Sequence, residues 1–381
     1  MVGAGVFVAF GPAAALAGNG LWIAIVLAGA VAYLNAGSIA QLAAVIPRSG
    51  GAYSYAREYL GPSFGFLAGV AFLVGKTASI AAIALVVASY LGLGIWFAVL
   101  AIFGMTTINL LGINRTALGA KVLSSVTLVF LGVVLAVSLF LPQAQTALPQ
   151  GTPLGVMGAA GLLFFAFAGY ARVATLGSEV EDPKPTIPKA IAISLGLVLV
   201  LYLALGLVLG RSLGAGLGSS ETPIADLSAL ANPGLLPLVA LVAAIAGLGS
   251  LLALLAGMGR TAGVMAQDGE LPKLFAKLNR KNAPFIAELT VGFFASVLIL
   301  SGSVVFAISL SSFSVLTYYA IANLAALAQP RSVATRSKLL IGLGLALCVA
   351  IAVSLPPQSV LIGVVVLGLS LGLRYGMAKL S

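Results

Sequence analysis

The residues of this chain placed to do chemistry are backbone groups at glycines, joined by a few isolated polar side chains. Gly3-Ala4-Gly5-Val6-Phe7 lies in an apolar segment, and its two glycines disfavour a continuous helix. Phe165-Ala166-Phe167-Ala168-Gly169-Tyr170-Ala171-Arg172 interrupts a second apolar segment in the later half of the chain. An interrupted helix exposes free N–H groups where one half begins and free C=O groups where the other ends. The first end attracts anions and the second attracts cations. Two such interruptions in corresponding halves of a hydrophobic chain are the pattern of a transport site at the bilayer midplane. Two basic residues, Lys76 and Arg172, also fall inside apolar runs. Charges there are costly and are functional candidates by default. Lysine can lose its proton when desolvated, whereas arginine keeps its charge.

Composition sets the solvent. The chain has 381 residues, of which 61% are hydrophobic and 7% charged. Soluble domains carry about 25% charged residues. With a mean hydropathy of +1.17, a water-soluble core cannot hide this much apolar surface, so the chain is read as lipid-embedded. The 46 glycines suit close helix packing in a membrane. There is no histidine, which removes the commonest metal ligand and the usual proton shuttle near neutral pH. The single cysteine, Cys348, sits in an apolar run and reads as a buried, inert thiol. No metal site or cofactor is expected. A membrane enzyme would need paired acids, a metal cluster or an activated nucleophile, and the spans offer none.

Apolar runs of membrane-spanning length occur at 1–18, 21–46, 62–91, 93–112, 118–141, 153–176, 188–210, 234–262, 284–301, 303–328, 338–355 and 358–376. The fold expected is an all-α integral membrane protein of about twelve transmembrane helices. A β-barrel is excluded because the runs are too long and lack two-residue alternation. With the second span ending inside, the loops 47–61, 113–121, 177–189, 263–283, 329–338 and the C-terminus are all cytoplasmic. Together with Arg260 they carry sixteen of the nineteen Lys and Arg residues; Arg211 alone lies opposite, and Lys76 and Arg172 are the remaining two. This is the positive-inside asymmetry of a multi-pass cell-membrane protein. It also explains the net charge of +10 without nucleic acid. Residues 211–233 form a long outer connection, part of it expected as a short surface helix. The chain opens at the first interruption itself, so a half-helix and a cytoplasmic tail are expected ahead of Met1. The first helix is therefore expected to be truncated.

Four motifs in order carry a resemblance. They are Gly3-Ala4-Gly5-Val6-Phe7; Pro47-Arg48-Ser49-Gly50-Gly51-Ala52-Tyr53; Phe167-Ala168-Gly169-Tyr170 followed by Glu179, Pro183 and Pro188; and Gly259-Arg260 followed by Asp268-Gly269-Glu270-Leu271-Pro272. The chain resembles the amino acid–polyamine–organocation superfamily of secondary transporters from residue 3 to about residue 330. The resemblance implies a five-plus-five inverted repeat (LeuT-like), with residues 1–141 and 153–328 as the two units and 338–376 as two appended helices. It implies an amino acid permease, with symport as its mode.

On that resemblance the substrate is an amino acid. Gly3, Ala4 and Gly5 are expected to meet its carboxylate. The carbonyls around Phe167, Ala168 and Gly169 are expected to meet its ammonium. Phe7, Phe167 and Tyr170 are candidates for an aromatic cover; the alternative for each is ordinary helix packing. Lys76 is the candidate for proton coupling. In relatives a proton-linked lysine more often sits in the fifth span, where this chain has Thr127. Ser250 on the eighth span, with Thr127, is the candidate for a sodium site facing the first interruption. Proton coupling, sodium coupling and obligate exchange rank in that order. Some cation-selective relatives have an acid two residues after the second glycine, where this chain has Ala171. With Lys76 and Arg172 nearby, neutral amino acids are favoured, and anionic ones fit if Arg172 faces the cavity. Glu288 reads as an interfacial partner of the basic loops. A channel or a non-transporting amino acid sensor is the competing class. The oligomeric state is left open.

Overall fold

The computed structural model describes residues 3–46, 50–112, 117–170, 183–281, 283–330, 332 and 334–378. Among these residues all regular structure is helical. That is what hydrocarbon demands, because a helix satisfies its own backbone groups. Helices α1 (Gly5–Val8) and α2 (Phe10–Ala17) make the first, interrupted span; a turn at Gly18–Gly20 leads into α3 (Leu21–Val45). Then follow α4 (Ala52–Leu60), α5 (Pro62–Tyr90), α6 (Ile95–Leu110), α7 (Ala117–Ser138) and α8 (Pro153–Phe167). The later half contains α9 (Pro183–Leu213), α10 (Pro223–Ala231), α11 (Leu236–Gln267), α12 (Phe285–Ile299), α13 (Val304–Ala328), α14 (Lys338–Val353) and α15 (Pro357–Ala378). Among the described residues, six helical stretches are long and apolar enough to cross a membrane, and five shorter apolar helices accompany them.

The helices sort by what they touch. α5 and α13 form the buried centre, with Gly75 of α5 set against Val315 and Ser314 of α13. A large apolar residue on the outside of the bundle marks the face turned to lipid: Trp96, Val129, Phe140, Leu339 and Leu361 are all exposed. Exposure of this kind is ordinary where the surrounding solvent is as apolar as the side chains.

Two expectations change. The span expected from residue 188 starts earlier, because α9 begins at Pro183. A proline at the first helical position is tolerated, since the N–H it lacks has no partner within the helix. Among the described residues, Glu288 meets α6 and not a basic loop. It is 1% exposed, in the first turn of α12, and its Oε1 accepts a hydrogen bond from Asn109 Nδ2 of α6 at 2.8 Å. Tyr53 and Ala56 of α4 are fully buried.

α4 knits together the face that carries the basic loops. Its first amide, Ala52 N–H, donates to Tyr318 Oη of α13 at 2.9 Å. Tyr53 Oη donates to Asp268 Oδ2, just past α11, at 2.8 Å. Arg57 pairs with Glu270, and Arg374 Nε of α15 reaches the same carboxylate at 2.7 Å. Burial raises the Glu270 carboxyl, but the hydrogen bonds from Arg374 and Arg57 outweigh it and hold it below the usual glutamate value.

A depressed native value sets the sign of the pH effect. The stabilisation by Glu270 is complete above the ordinary glutamate pKa of about 4.3 and is lost as pH falls through the lower native value. Glu270→Gln should lower the thermal stability of the detergent-purified protein at pH 7 by about 1 kcal/mol. The gap from the parent should persist at pH 5 and close only below about pH 4. Parallel melting curves across that range check it.

Candidate functional site

Helix α1 begins at Gly5, at the glycines of the first interruption, and Val6 and Phe7 are regular helix within it. A milder irregularity follows at Ala9, which keeps helical dihedrals and both ladder bonds, from its N–H to Gly5 O and from Ala13 N–H to its own carbonyl. Its cause is Pro12, which has no N–H for the Val8 carbonyl and whose ring crowds that carbonyl. The glycines also act through close approach. A methyl group at Gly5 would fall 2.6 Å from Ala166 Cα of α8, and one at Gly3 would fall 2.9 Å from Ser250 Oγ of α11. Only a residue without Cβ lets the Gly5 and Ala166 backbones meet and leaves room beside Gly3 for the Ser250 hydroxyl.

The second interruption lies where the sequence places it. α8 starts on a Thr152 cap, whose Oγ1 accepts from Gly155 N–H at 3.0 Å, and ends at Phe167. Ala168 N–H still reaches Phe164 O, and residues Ala168–Tyr170 continue as a tighter 3-10 turn. The start of α1 and the end of α8 therefore lie side by side at Gly5 and Ala166. Two opposite partial charges, the N–H end of one half-helix and the C=O end of the other, are brought to one place.

Two tyrosines that sequence reasoning passed over hold these ends. Tyr90 Oη, at the end of α5, donates to the Phe7 carbonyl at 2.6 Å. Tyr202 Oη of α9 donates to the Ala166 carbonyl at 3.2 Å. Their rings pack edge-on against the candidate cover residues: Phe7 on Tyr90 at 5.6 Å and Phe167 on Tyr202 at 5.0 Å. Phe7 and Phe167 are both fully buried. The signal that would have found the tyrosines is their hydroxyl, which needs a partner when buried.

The remaining candidates separate. Ala4 is buried between Gly3 and Gly5. Ser250 lies against Gly3, with its Oγ donating to Ala246 O at 2.8 Å. Thr127 is buried too, but its hydroxyl donates to Leu123 O of its own helix, α7, at 2.9 Å. Lys76 is 7% exposed, inside α5. Its Nζ lies 5.8 Å from the centroid of the Phe72 ring, and Phe72 packs on Tyr318 of α13. One turn further, Ser79 Oγ meets Ser311 Oγ of α13 at 2.7 Å. Gly169 lies in the turn after α8. Tyr170 closes that turn, and Arg172 lies outside the described residues.

A cavity of about 590 Å³ opens at the end of the bundle away from the basic loops. Its walls include Val8 and Pro12 of the first span, Leu85 and Ser89 of α5, and Ser220 and Glu221 before α10. Gly5 and Ala166 are not among its walls.

Residues 1–366 match the family model described as amino acid permease. The chain is 42% identical to an uncharacterized transporter of Mycobacterium tuberculosis over 393 residues, covering 100% of this chain and 88% of that protein. It is 27% identical to the chloroplastic cationic amino acid transporter 7 of Arabidopsis thaliana, over 85% of this chain and 62% of that one. It is also 27% identical to the L-asparagine permease of Escherichia coli K12, over 76% of this chain and 63% of that one.

The close approach at Gly5 makes a stability prediction that needs no substrate. Gly5→Ala would set its methyl against backbone at 2.6 Å, and overpacking of that kind costs about 1–3 kcal/mol. Gly104→Ala in α6, which has open space around it, should be neutral or stabilising by about 0.5–1 kcal/mol. Thermal unfolding in detergent reads both, and equal behaviour of the two variants would contradict the packing described.

Proposed function

The chain belongs to the amino acid permease family, and from that premise we propose that it is a secondary active transporter of amino acids working by alternating access. Neutral amino acids are its favoured substrates. The observation that carries this is the approach of Gly5 to Ala166, which sets an N–H end beside a C=O end. A zwitterion is the ligand that uses both. Its carboxylate is assigned to the amides of Gly3, Ala4 and Gly5, and its ammonium to the carbonyls of Phe167, Ala168 and Gly169. Phe7, Phe167 and Tyr170 cover it. Because Phe7 and Phe167 rest on Tyr90 and Tyr202, each cover ring moves together with a tyrosine.

The same reading places residues 1–141 and 153–328 as two inverted five-helix units, with 338–376 appended and the basic face in the cytoplasm of a cell-membrane protein. Proton coupling is assigned to Lys76. It is buried in α5, and lysine, unlike arginine, is a side chain that can exchange its proton within a protein. The same buried cation disfavours a dicationic substrate, although one relative is named for cationic amino acids. A second reading, sodium coupling or exchange, draws on Ser250, whose hydroxyl lies against Gly3.

The test is radiolabelled uptake into proteoliposomes across a panel of amino acids, with proton and sodium gradients imposed separately. Saturable, stereoselective uptake of a neutral amino acid, driven by an inward proton gradient, is expected. Lys76→Gln should abolish the proton dependence while leaving substrate-protectable binding within about threefold of the parent, a change of under 1 kcal/mol. Uptake that keeps its pH dependence in Lys76→Gln would remove the lysine from the mechanism. Uptake driven by sodium alone would favour the Ser250 reading.

A further inference from the structure

The Tyr90 hydroxyl joins three elements at once. It donates to the Phe7 carbonyl, within α1 of the first span, at 2.6 Å. It accepts from Ile224 N–H, in the first turn of α10, at 3.3 Å. Tyr90 itself ends α5. One hydroxyl thus satisfies a carbonyl on the interrupted helix and one of the N-terminal amides of α10 that have no partner within their own helix. The segment leading into α10 is pressed on the same span: a methyl at Gly11 would strike the Ser220 carbonyl at 2.2 Å. Ser220 in turn bonds Asp226 of α10. The cavity ends at this junction, with Val8 and Pro12 on one side and Ser220 and Glu221 on the other.

We infer that Tyr90 is the positioning residue of the outer gate: its hydroxyl holds α10 and the interrupted first span together and so keeps the cavity sealed from the site between Gly5 and Ala166. Parting α10 from the first span breaks one or both of its bonds and strands a buried amide or carbonyl. That state becomes affordable only when water follows from the cavity. Opening on this side is thereby tied to wetting of the site, and closing to its expulsion. The inference rests on the alternating-access reading above and adds the group that sets the outward equilibrium.

The test reads the gate without a substrate, so a silent uptake panel does not decide it. In a Cys348→Ala background, Ser250→Cys places one thiol at the first interruption, beyond the gate from the cavity. A membrane-impermeant methanethiosulfonate is added from the cavity side in proteoliposomes of defined orientation. Tyr90→Phe, which keeps the ring and removes only the hydroxyl, should speed labelling about three- to tenfold, the factor that loss of one net hydrogen bond produces. Labelling from the basic face should not speed up. An unchanged rate in Tyr90→Phe overturns the assignment, and so does acceleration from both faces, which would mean general loosening.

Discussion

A backbone N–H or C=O left without a partner in hydrocarbon costs several kcal/mol, and a chain that interrupts its spans must answer for every group it frees. Here the answer comes from neighbouring spans. Pro12 takes the ladder donor from the Val8 carbonyl, and Tyr90 of α5 bonds the neighbouring Phe7 carbonyl. α8 stops at Phe167, and Tyr202 of α9 reaches the carbonyl of Ala166. On the function proposed above, the groups at the facing ends of the two half-helices are left to a ligand with a charge at each end.

Such a site works only if the half-helices come close, and closeness is a matter of side-chain volume. Gly5 lets its backbone approach that of Ala166, and Gly3 leaves room for the Ser250 hydroxyl. The opposite end of the bundle is sealed in the same manner, by Gly11 under the Ser220 carbonyl. The basic face uses a different device. There Gln41 Oε1 accepts from Arg336 N–H at 2.8 Å while its Nε2 donates to Gln329 at 2.7 Å, and Glu270 collects Arg57 and Arg374. One face is closed by packing and hydroxyls, the other by amides and ion pairs. On the alternating-access proposal, the elements that part on either side are held by bonds that water can replace.

Much of this was legible in sequence, for reasons that differ by element. The long helices follow from hydropathy alone, and their ends fall close to Gly and Pro clusters: α5 at Pro62–Tyr90 and α13 at Val304–Ala328 match the runs 62–91 and 303–328. The second interruption was legible because Gly169 follows a run of aromatics in a single apolar segment. At the first, the glycines mark where α1 begins, at Gly5, whereas the loss of the ladder donor to Val8 is written in Pro12, which the glycine pattern does not show. Glu288 was misread because charge was counted along the chain, whereas its partner Asn109 comes from a helix far away in sequence. Lys76 was legible as a buried cation; its surroundings of Phe72, Tyr318 and the Ser79–Ser311 pair were not, because they depend on which face of α13 meets α5.

Hydroxyls show why side-chain type alone misleads in a membrane, and how it can be made to inform. Serine and threonine in a span can turn back to the carbonyl four residues earlier. Thr77, Thr106, Thr127, Ser250 and Thr317 all do so. Such a hydroxyl is satisfied by its own helix and says nothing about a site. Ser250 differs from Thr127 only in lying against Gly3, which no reading of residue type reveals. A tyrosine hydroxyl stands too far from its own backbone to turn back, so it has to find a partner on another element. Tyr53, Tyr90, Tyr202 and Tyr318 all make their bonds to distant segments. A tyrosine within an apolar run is therefore a marker of tertiary contact, whereas a serine is not. Applied to this chain, that rule would have drawn Tyr90 and Tyr202 into the candidate site before any coordinates, and it would have placed Thr127 lower than Ser250 only once Gly3 was seen beside it.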